Sequence, residues 1–372
     1  MKLLVTGADG FVGRNLLQHL SERSDTQVVT FTRDSDEAQL PALLSGTDFV
    51  VHLAGVNRPH DPGDFEVGNV GFTGKLVEAL VCLLRTTERR PVVVYASSIQ
   101  AELDNPYGRS KRRAEELLLA AQAQHQIPVR IFRLPNVFGK WAKPNYNSAV
   151  ATFCHNISRG LPIEVRDSAA LLNLVYIDDV VAAILNLIDG RMGEASYCTV
   201  SPQYTTTVGR TAELIRGFSE SRRTLLTDRV GVGLVRALYS TYVSYLPTNE
   251  FAYPVPQYQD ARGVFVEMLK TPDTGQFSFF TAHPGATRGG HYHHSKTEKF
   301  LVIRGRALFR FRHVRTGECH ELAAVGETPV IVETVPGWSH DITNVGDDEL
   351  IVMLWANEIF DRERPDTVAF RV

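Results

Sequence analysis

Lys2-Leu-Leu-Val-Thr6 runs directly into Gly7-Ala-Asp-Gly10-Phe-Val-Gly13, and an apolar pattern with helical spacing follows from Val12 to Leu20. A short apolar run that ends in glycines and opens a helix reads as strand, tight turn, helix. Glycine lets the backbone turn sharply and come close to a pyrophosphate. The helix N-terminus adds free N–H groups and a favourable dipole. The spacing is G-x-x-G-x-x-G, not the G-x-G-x-x-G of the general dinucleotide fingerprint, so the reading rests on the position of the turn between a strand and a helix.

Outward from this turn, the first half alternates strand-like and helix-like stretches. Gln27–Thr32, Asp48–Ala54, Pro91–Ala96 and Pro128–Arg133 read as strands, and Gly71–Arg85 and Ser110–Gln126 as helices. Apolar runs buried on both faces and separated by helices predict a mainly parallel sheet covered on both sides. Gly139–Tyr146 reads as a loop. Asn147–Arg159, Tyr176–Gly190, Tyr204–Phe218 and Gly233–Tyr245 read as helices, and Tyr204–Phe218 is expected to close a smaller substrate lobe. From about Asn249 the pattern changes. Phe251-Ala-Tyr-Pro-Val-Pro256 breaks any helix, and short strands separated by Gly, Pro and Asp follow to the end, the pattern of an antiparallel sandwich or barrel. The expected fold is therefore an α/β Rossmann-type domain with a small substrate lobe, residues 1–248, followed by an all-β domain, residues 249–372.

Bulk composition fits two soluble domains. The chain has 372 residues, 44% hydrophobic and 22% charged, with 39 basic and 42 acidic side chains for a net charge of -3. That length suits two domains better than one core. No basic tail or stripe suggests nucleic acid. Cys82, Cys154, Cys198 and Cys319 are far apart and form no C-x-x-C, which points to a reducing compartment. With no signal peptide and no apolar run long enough to span a bilayer, the expectation is a cytoplasmic protein without an integral membrane segment.

Two clusters carry chemistry. In the first, Tyr107-Gly-Arg-Ser-Lys111 places a phenol and an ammonium four residues apart on one helix face. The ammonium favours the phenolate and can tune the phenol for proton transfer. Ser97-Ser98 ends the preceding strand, where a hydroxyl can hold a carbonyl oxygen. Arg33, at the end of the second strand, suits a ribose 2'-phosphate, with Asp34 and Asp36 close enough to weaken that preference. In the second cluster, His291 and His293 fall on the same side of a strand, Glu298 follows a short turn, and His340 returns from a later strand. Three imidazoles and a carboxylate suit a divalent zinc, nickel, iron or manganese ion, and the ligands alone do not decide among them; Zn2+ is the expected ion. His294 would point to the other side unless a bulge turned it inward.

The first 245 or so residues resemble the extended short-chain dehydrogenase/reductases. The resemblance is carried by Gly7-x-x-Gly10-x-x-Gly13, His52-Leu-Ala-Gly55, Asn69, Ser97-Ser98, Tyr107-x-x-x-Lys111, Arg133-Leu-Pro-Asn-Val-Phe-Gly139 and Val175-Tyr-Ile-Asp-Asp179. It implies an NADP(H) site formed by Gly7, Asp9, Gly10, Phe11, Val12, Gly13, Arg33, Leu53, Ala54, Gly55, Asn69 and Leu134 together with Tyr107 and Lys111. Tyr107 would be the proton donor, Lys111 would tune it, and Ser98 would polarise the substrate oxygen, with Ser97 as the alternative. Asn136 would line the sugar cleft. Leu172-Asn173 stands where many members carry Arg-Asp, so the diphosphate clamp must differ; Arg133, Lys143 and Arg166 are the candidates.

Gly285-x5-His291-x-His293-x4-Glu298-x6-Gly305 and Gly337-x2-His340-x3-Asn344 resemble the two cupin motifs, with Val335 where proline is usual. That resemblance implies an all-β cupin and a metal held by His291, His293, Glu298 and His340. The two domains in this order resemble the bifunctional capsular-polysaccharide UDP-sugar 3-epimerase/4-reductases. This implies a UDP-linked 4-keto-6-deoxy-N-acetylhexosamine substrate, epimerised at C3 by the cupin and reduced at C4 with NADPH. The expected product is UDP-N-acetyl-6-deoxy-L-talosamine, on the route to UDP-N-acetyl-L-fucosamine. Candidate C3 bases are Lys299, His294, Tyr292 and Asp341. Family analogy implies a homodimer. The competing reading is a single-activity nucleotide-sugar reductase with a structural or sugar-binding cupin. A dehydratase is disfavoured because Ile99 and Gln100, not an acidic pair, follow Ser98.

Overall fold

The computed structural model describes residues 1–59, 61–363 and 365–372. They fall into two compact units: Met1–Ile215 with Ala237–Leu246, and Arg216–Arg236 with Pro247–Val372.

The first unit follows the expected alternation. Its elements are β1 (Lys2–Thr6), α1 (Phe11–Ser21), β2 (Gln27–Phe31), α2 (Leu40–Leu44), β3 (Phe49–His52), α3 (Gly63–Phe65), a π-helical turn (Glu66–Gly71), α4 (Phe72–Thr87), β4 (Val92–Ser98), α5 (Pro106–His125), β5 (Val129–Leu134), β6 (Asn136–Phe138), α6 (Ala149–Ile157), β7 (Leu171–Tyr176), α7 (Ile177–Ile188), β8 (Tyr197–Cys198) and β9 (Tyr204–Thr207). The main sheet is parallel, in the order β2-β1-β3-β4-β5-β8. Its β-branched strands supply a core in which Leu4, Val50, Val93, Tyr95, Val129 and Ile131 pack against Leu76, Leu80, Ala114 and Leu118 of α4 and α5. Strand order reverses between β1 and β3. In open α/β sheets the crevice beyond the carboxyl ends of strands at such a reversal is where ligands bind, and the Gly7–Gly13 turn lies there.

The run Gly63–Thr87 is long and apolar enough to cross a membrane by length and composition, which the sequence reading did not anticipate. Here it lays one face, including Leu76, Leu80 and Leu83, into the sheet core, as the helix of a folded α/β layer does.

One reading around the small lobe is corrected. Tyr204–Phe218 is not one helix. Tyr204–Thr207 forms β9, antiparallel to β7, and helix α8 spans Val208–Thr224. Three consecutive threonines favour the strand because β-branched side chains lose rotamer freedom in a helix. Leu171–Tyr176 is the central strand of a three-stranded sheet β6-β7-β9.

In the second unit, Arg216–Arg236 joins the β-rich part of the chain. Leu226 bridges Lys270, and Arg229 pairs with Asp273 at 2.7 Å. Helix α9 (Gly233–Ser244) then leads back to the first unit. The remaining strands are β10 (Gln257–Asp260), β11 (Gly263–Thr271), β12 (Gly275–Ala282), β13 (Thr287–Tyr292), β14 (Glu298–Arg304), β15 (Arg306–His313), β16 (Cys319–Val325), β17 (Ile331–Glu333), β18 (Trp338–Asn344), β19 (Leu350–Ala356) and β20 (Val368–Ala369). They form two antiparallel sheets, β10-β11-β12-β19-β14-β17 and β16-β15-β18-β13-β20. Phe280, Phe300, Phe309, Phe311, Ile342 and Val352 fill the core between them. Alternation along β14 buries Glu298, Phe300 and Val302 and exposes Lys299, the period-2 pattern of a sheet with one face on a core.

Candidate functional site

The glycine turn is built for close approach. Gly7 has φ +68°, and a Cβ there would stand 2.6 Å from the Ala54 nitrogen; a Cβ on Gly13 would stand 2.4 Å from the Gly7 carbonyl. Side chains are therefore excluded where β1, β3 and α1 converge. Gly10 caps α1 without a side-chain partner, and its first turn carries no acid, so the leading N–H groups face the crevice free for an anion. Asp9 and Gly10 are exposed, and Phe11 and Val12 are partly buried. Arg33 is exposed beyond β2 and makes no ion pair among the described residues.

The far wall is tied together by hydrogen bonds. Asn69, in the π-helical turn, accepts the Val56 N–H at 2.8 Å and donates to the Val56 carbonyl at 2.9 Å and to the Ser110 hydroxyl at 2.9 Å. A Cβ on Gly55 would stand 2.9 Å from Asn69 Oδ1 and 3.7 Å from Lys111 Nζ, so the glycine leaves open a slot above the lysine. Leu53 and Ala54 are hung on Thr6 through backbone donors at 3.2 and 3.3 Å. His52 lies buried between Thr6 Oγ1 at 2.8 Å and Thr73 Oγ1 at 3.0 Å. Because Thr73 donates its own proton to the Asn69 carbonyl, it accepts from His52 Nε2–H, and Nδ1 accepts from Thr6. Burial, aided by the charge of Lys111, lowers the His52 pKa to about 3. The ring is a neutral strut.

Tyr107 sits in the first turn of α5. Pro106 leads that turn and Asn105 caps it, accepting the Gly108 N–H at 2.8 Å. Proline at the first helical position and an asparagine cap explain why the helix begins at Pro106 and not at Ser110. The Tyr107 phenol is hydrogen-bonded to the Ser98 side chain. Burial raises its pKa, with the Ser98 bond opposing, so the phenol holds its proton at neutral pH. Ser97 faces elsewhere, donating to the buried Glu115, which separates the roles of the two serines. Lys111 is buried, donates to the Ala96 carbonyl at 2.8 Å and lies 4.4 Å from the centre of the Tyr95 ring. Burial lowers its pKa to about 7, with Glu115 partly offsetting the shift. Leu134, in register with Ser98, is buried beside it.

The substrate-side candidates are more scattered. Asn136 is exposed on β6 and donates to the Asn173 carbonyl at 3.2 Å. Lys143 lies 5.2 Å from the Tyr146 ring centre, and Arg166 pairs with Glu164 at the surface. Arg133 is engaged by Glu115 at 2.6 Å and Glu102 at 2.9 Å, so its guanidinium ties β5 to α5 and to the turn that follows β4.

In the second unit, one donor atom from each of His291, His293, Glu298 and His340 lies within 4.8 Å of the others. His291 faces His340 directly across the β13–β18 ladder, after a register shift between Gly289 and His291. Gly289 and Gly290 have φ +99° and +78°, and a Cβ on Gly289 would stand 2.7 Å from the His340 carbonyl. This bulge re-aims the strand end. His293 lies just past β13, so it joins His291 by way of the turn and not by simple alternation. Its Nε2 is 3.2 Å from Glu298 Oε2, and His340 Nε2 is 3.4 Å from the same oxygen. Burial, together with His340 and His293, lowers the His291 pKa to about 4, leaving a neutral imidazole with a lone pair. Burial alone would raise Glu298, but hydrogen bonds from His293 and His340 and the charge of Lys296 outweigh it and hold the carboxyl ionised. The His291 lone pair and the Glu298 carboxylate converge with two further imidazoles, a donor set that suits a divalent ion.

The four candidate C3 bases lie off this cluster. Lys299 points to the opposite face of β14 and pairs with exposed Glu333. Asp341 is held by Arg310 through two bonds of 2.8 Å. Tyr292 and the exposed His294 pack edge to face at 5.3 Å. Lys296, overlooked in the sequence, is buried with Nζ 3.1 Å from Glu298 Oε1. Its signal was present in the two-residue spacing from Glu298.

A family model described as "NAD dependent epimerase/dehydratase family" matches residues 3–196, and one described as "Polysaccharide biosynthesis C-terminal domain" matches residues 258–368. The chain belongs to the NAD dependent epimerase/dehydratase family. The glycine turn, Asn69, Ser98, Tyr107 and Lys111 all fall within the portion matched to this epimerase/dehydratase family. A Pseudomonas aeruginosa relative, UDP-2-acetamido-2,6-beta-L-arabino-hexul-4-ose reductase, is 59% identical over 372 residues, covering 100% of this chain and 99% of its own. The crystal structure of the capsular polysaccharide assembling protein CapF from Staphylococcus aureus matches with TM-score 0.91 and 42% identity over 100% of both chains. UDP-glucuronic acid 4-epimerase from Bacillus cereus, solved with NAD, matches with TM-score 0.55 and 18% identity over 66% of this chain and 98% of its own. This last likeness concerns the fold.

Proposed function

We propose that this chain is a bifunctional enzyme of capsule or O-antigen synthesis, in which a cupin domain epimerises a UDP-linked 4-keto-6-deoxy-N-acetylhexosamine at C3 and the epimerase/dehydratase-type domain reduces C4. One observation carries the reading: a single chain holds a hydrogen-bonded Ser98–Tyr107 pair, its tyrosine on the helix that carries buried Lys111, in one unit and a largely buried three-histidine, one-glutamate cluster in the other. Likeness along the whole chain to a reductase of a UDP-linked 2-acetamido-hexulose supports the substrate class.

The glycine turn and α1 N-terminus would hold the pyrophosphate of NADP(H), and Arg33 would face the 2'-phosphate. The bound nicotinamide supplies hydride. Ser98 holds the C4 oxygen, and Tyr107 gives it a proton. Lys111 anchors the nicotinamide ribose, and its charge keeps the developing phenolate accessible. Asn136, Lys143 and Arg166 are proposed for the sugar and diphosphate.

In the cupin, His291, His293, Glu298 and His340 would hold a divalent ion, zinc by preference, whose charge supplies stabilisation of an enolate. A ketone at C4 acidifies the C3 proton, so its removal and return on the other face inverts C3 without oxidation. The epimerised ketone then passes to Tyr107. A homodimer in the cytoplasm completes the reading.

The test is incubation of the purified chain with UDP-2-acetamido-4-keto-6-deoxyhexose and NADPH, with NMR of the product. UDP-N-acetyl-6-deoxy-L-talosamine is expected. A product reduced at C4 with C3 uninverted would leave only the reductase.

A further inference from the structure

The last seven residues return to the histidine cluster, although Asp366 is separated from His294 by 72 positions. One Asp366 carboxylate oxygen accepts the backbone N–H of His294 at 2.8 Å. The other accepts those of Ser295 and Lys296 at 2.8 Å each and the Ser295 hydroxyl at 3.0 Å. Three successive N–H groups turned onto one anion form a nest. This nest occupies the turn between His293 and Glu298.

The same residue acts through its backbone. The Asp366 carbonyl accepts from His293 Nδ1 at 2.5 Å. A carbonyl can only accept, so Nδ1 carries a proton and Nε2 faces the cluster. Beyond Asp366, Val368 and Ala369 pair with Tyr292 and His291, the Phe370 N–H donates to the Gly290 carbonyl at 2.9 Å, and the Ser339 hydroxyl donates to the Phe370 carbonyl at 2.5 Å. The segment thus closes over β13 and touches β18 beside His340.

We propose that Asp366 is a positioning residue for the ion site: its carboxylate fixes the turn that spaces His293 from Glu298, its carbonyl fixes the His293 ring, and the C-terminal segment is the latch that sets divalent-ion affinity. This inference rests on the reading of the cluster as an ion site. Hydrogen-bond partners behind metal-ligating histidines fix tautomer and orientation, and their loss typically weakens metal binding by about 10–100-fold.

The experiment is a Zn2+ titration of the full chain against a chromophoric chelator, comparing wild type, Asp366→Ala, Asp366→Asn, Ser295→Ala and His291→Gln. NADPH affinity and thermal unfolding of the metal-free proteins are measured alongside. Asp366→Ala is expected to weaken Zn2+ by roughly 10–100-fold, with NADPH affinity unchanged and metal-free unfolding close to wild type. Asp366→Asn, which keeps one accepting oxygen, is expected between the two, and Ser295→Ala is expected to lose only a few-fold, as befits one neutral hydrogen bond. Should Asp366→Ala fail to fold, Asp366→Asn and Ser295→Ala decide the matter. Wild-type Zn2+ affinity in the folded Asp366 variants, with binding abolished by His291→Gln, overturns the latch alone. Absence of Zn2+ binding in wild type, or equal binding in His291→Gln, overturns the ion site and the latch together.

Discussion

Lys111 lies 4.4 Å from the centre of the Tyr95 ring, with its ammonium donating to the carbonyl of the next residue, Ala96, at 2.8 Å. One hydrogen bond and one aromatic face are little solvation for a buried charge, and burial accordingly lowers its pKa to about 7. Between pH 7 and 10.5 the unfolded chain therefore binds more protons at this lysine than the folded one, so its contribution to stability improves as pH rises through that window. Lys111→Met is expected to stabilise the cofactor-free first unit by roughly 1–4 kcal/mol below pH 7, the range for replacing buried ionic groups with apolar ones. The gain should shrink toward pH 10, while C4 reduction falls at least about 100-fold. Chemical denaturation at several pH values and NADPH consumption check both.

His52 gives the opposite end of the pH scale. Its folded pKa of about 3 lies below the ordinary 6.5, so between those values the unfolded chain holds the extra proton. Stability is present above pH 6.5 and declines as pH falls toward 3, by roughly 1.4 kcal/mol per unit for one proton. His52→Asn is expected to be less stable at pH 7 but to have a shallower acid slope. Hydrogen exchange of β1 and β3 amides between pH 4.5 and 7, corrected for intrinsic rates, measures that slope.

Arg33 is predicted to choose the cofactor. Arg33→Ala should weaken NADPH binding by roughly 10–100-fold, the loss of a charge-assisted hydrogen bond, and leave NADH binding within about two-fold. Fluorescence titration with each nucleotide checks it, and equal losses for both would remove the 2'-phosphate role.

The parallel sheet and the glycine turn were legible because their signals are local. An apolar run ending in Gly7, Gly10 and Gly13 has few alternatives, and Tyr107 and Lys111 share a face whatever surrounds them. The His291–His293 spacing was legible too, yet the route was not: β13 stops at Tyr292, and the Gly289–Gly290 bulge and Asp366 bring His293 in. Asp366 had no local signal, since its partners lie some seventy residues earlier. β9 was hidden for a different reason. Tyr204–Thr207 is followed without a break by a helical pattern, and only pairing with β7 distinguishes the two. Lys299 illustrates period 2 in reverse: adjacent to Glu298, it necessarily faces away.

Removal of the divalent ion should separate the two halves of the chemistry. Dialysis against a strong chelator is expected to lower C3 exchange by more than about ten-fold and to leave reduction of an already epimerised 4-ketose nearly intact. The thermal stability of the β-rich unit should fall as well, because an ion that binds only the folded state stabilises it by mass action. Product analysis with each substrate and calorimetry with and without Zn2+ provide the check.

The most direct measurement is solvent deuterium incorporation at C3 by Tyr107→Phe in D2O with the UDP-linked 4-ketose, read by mass spectrometry alongside NADPH consumption. The account predicts deuterium uptake at the wild-type rate with reduction lowered by at least about 100-fold. Loss of uptake together with reduction, in a variant that keeps its fold and its ion, would contradict the assignment of the two reactions to two separate sites.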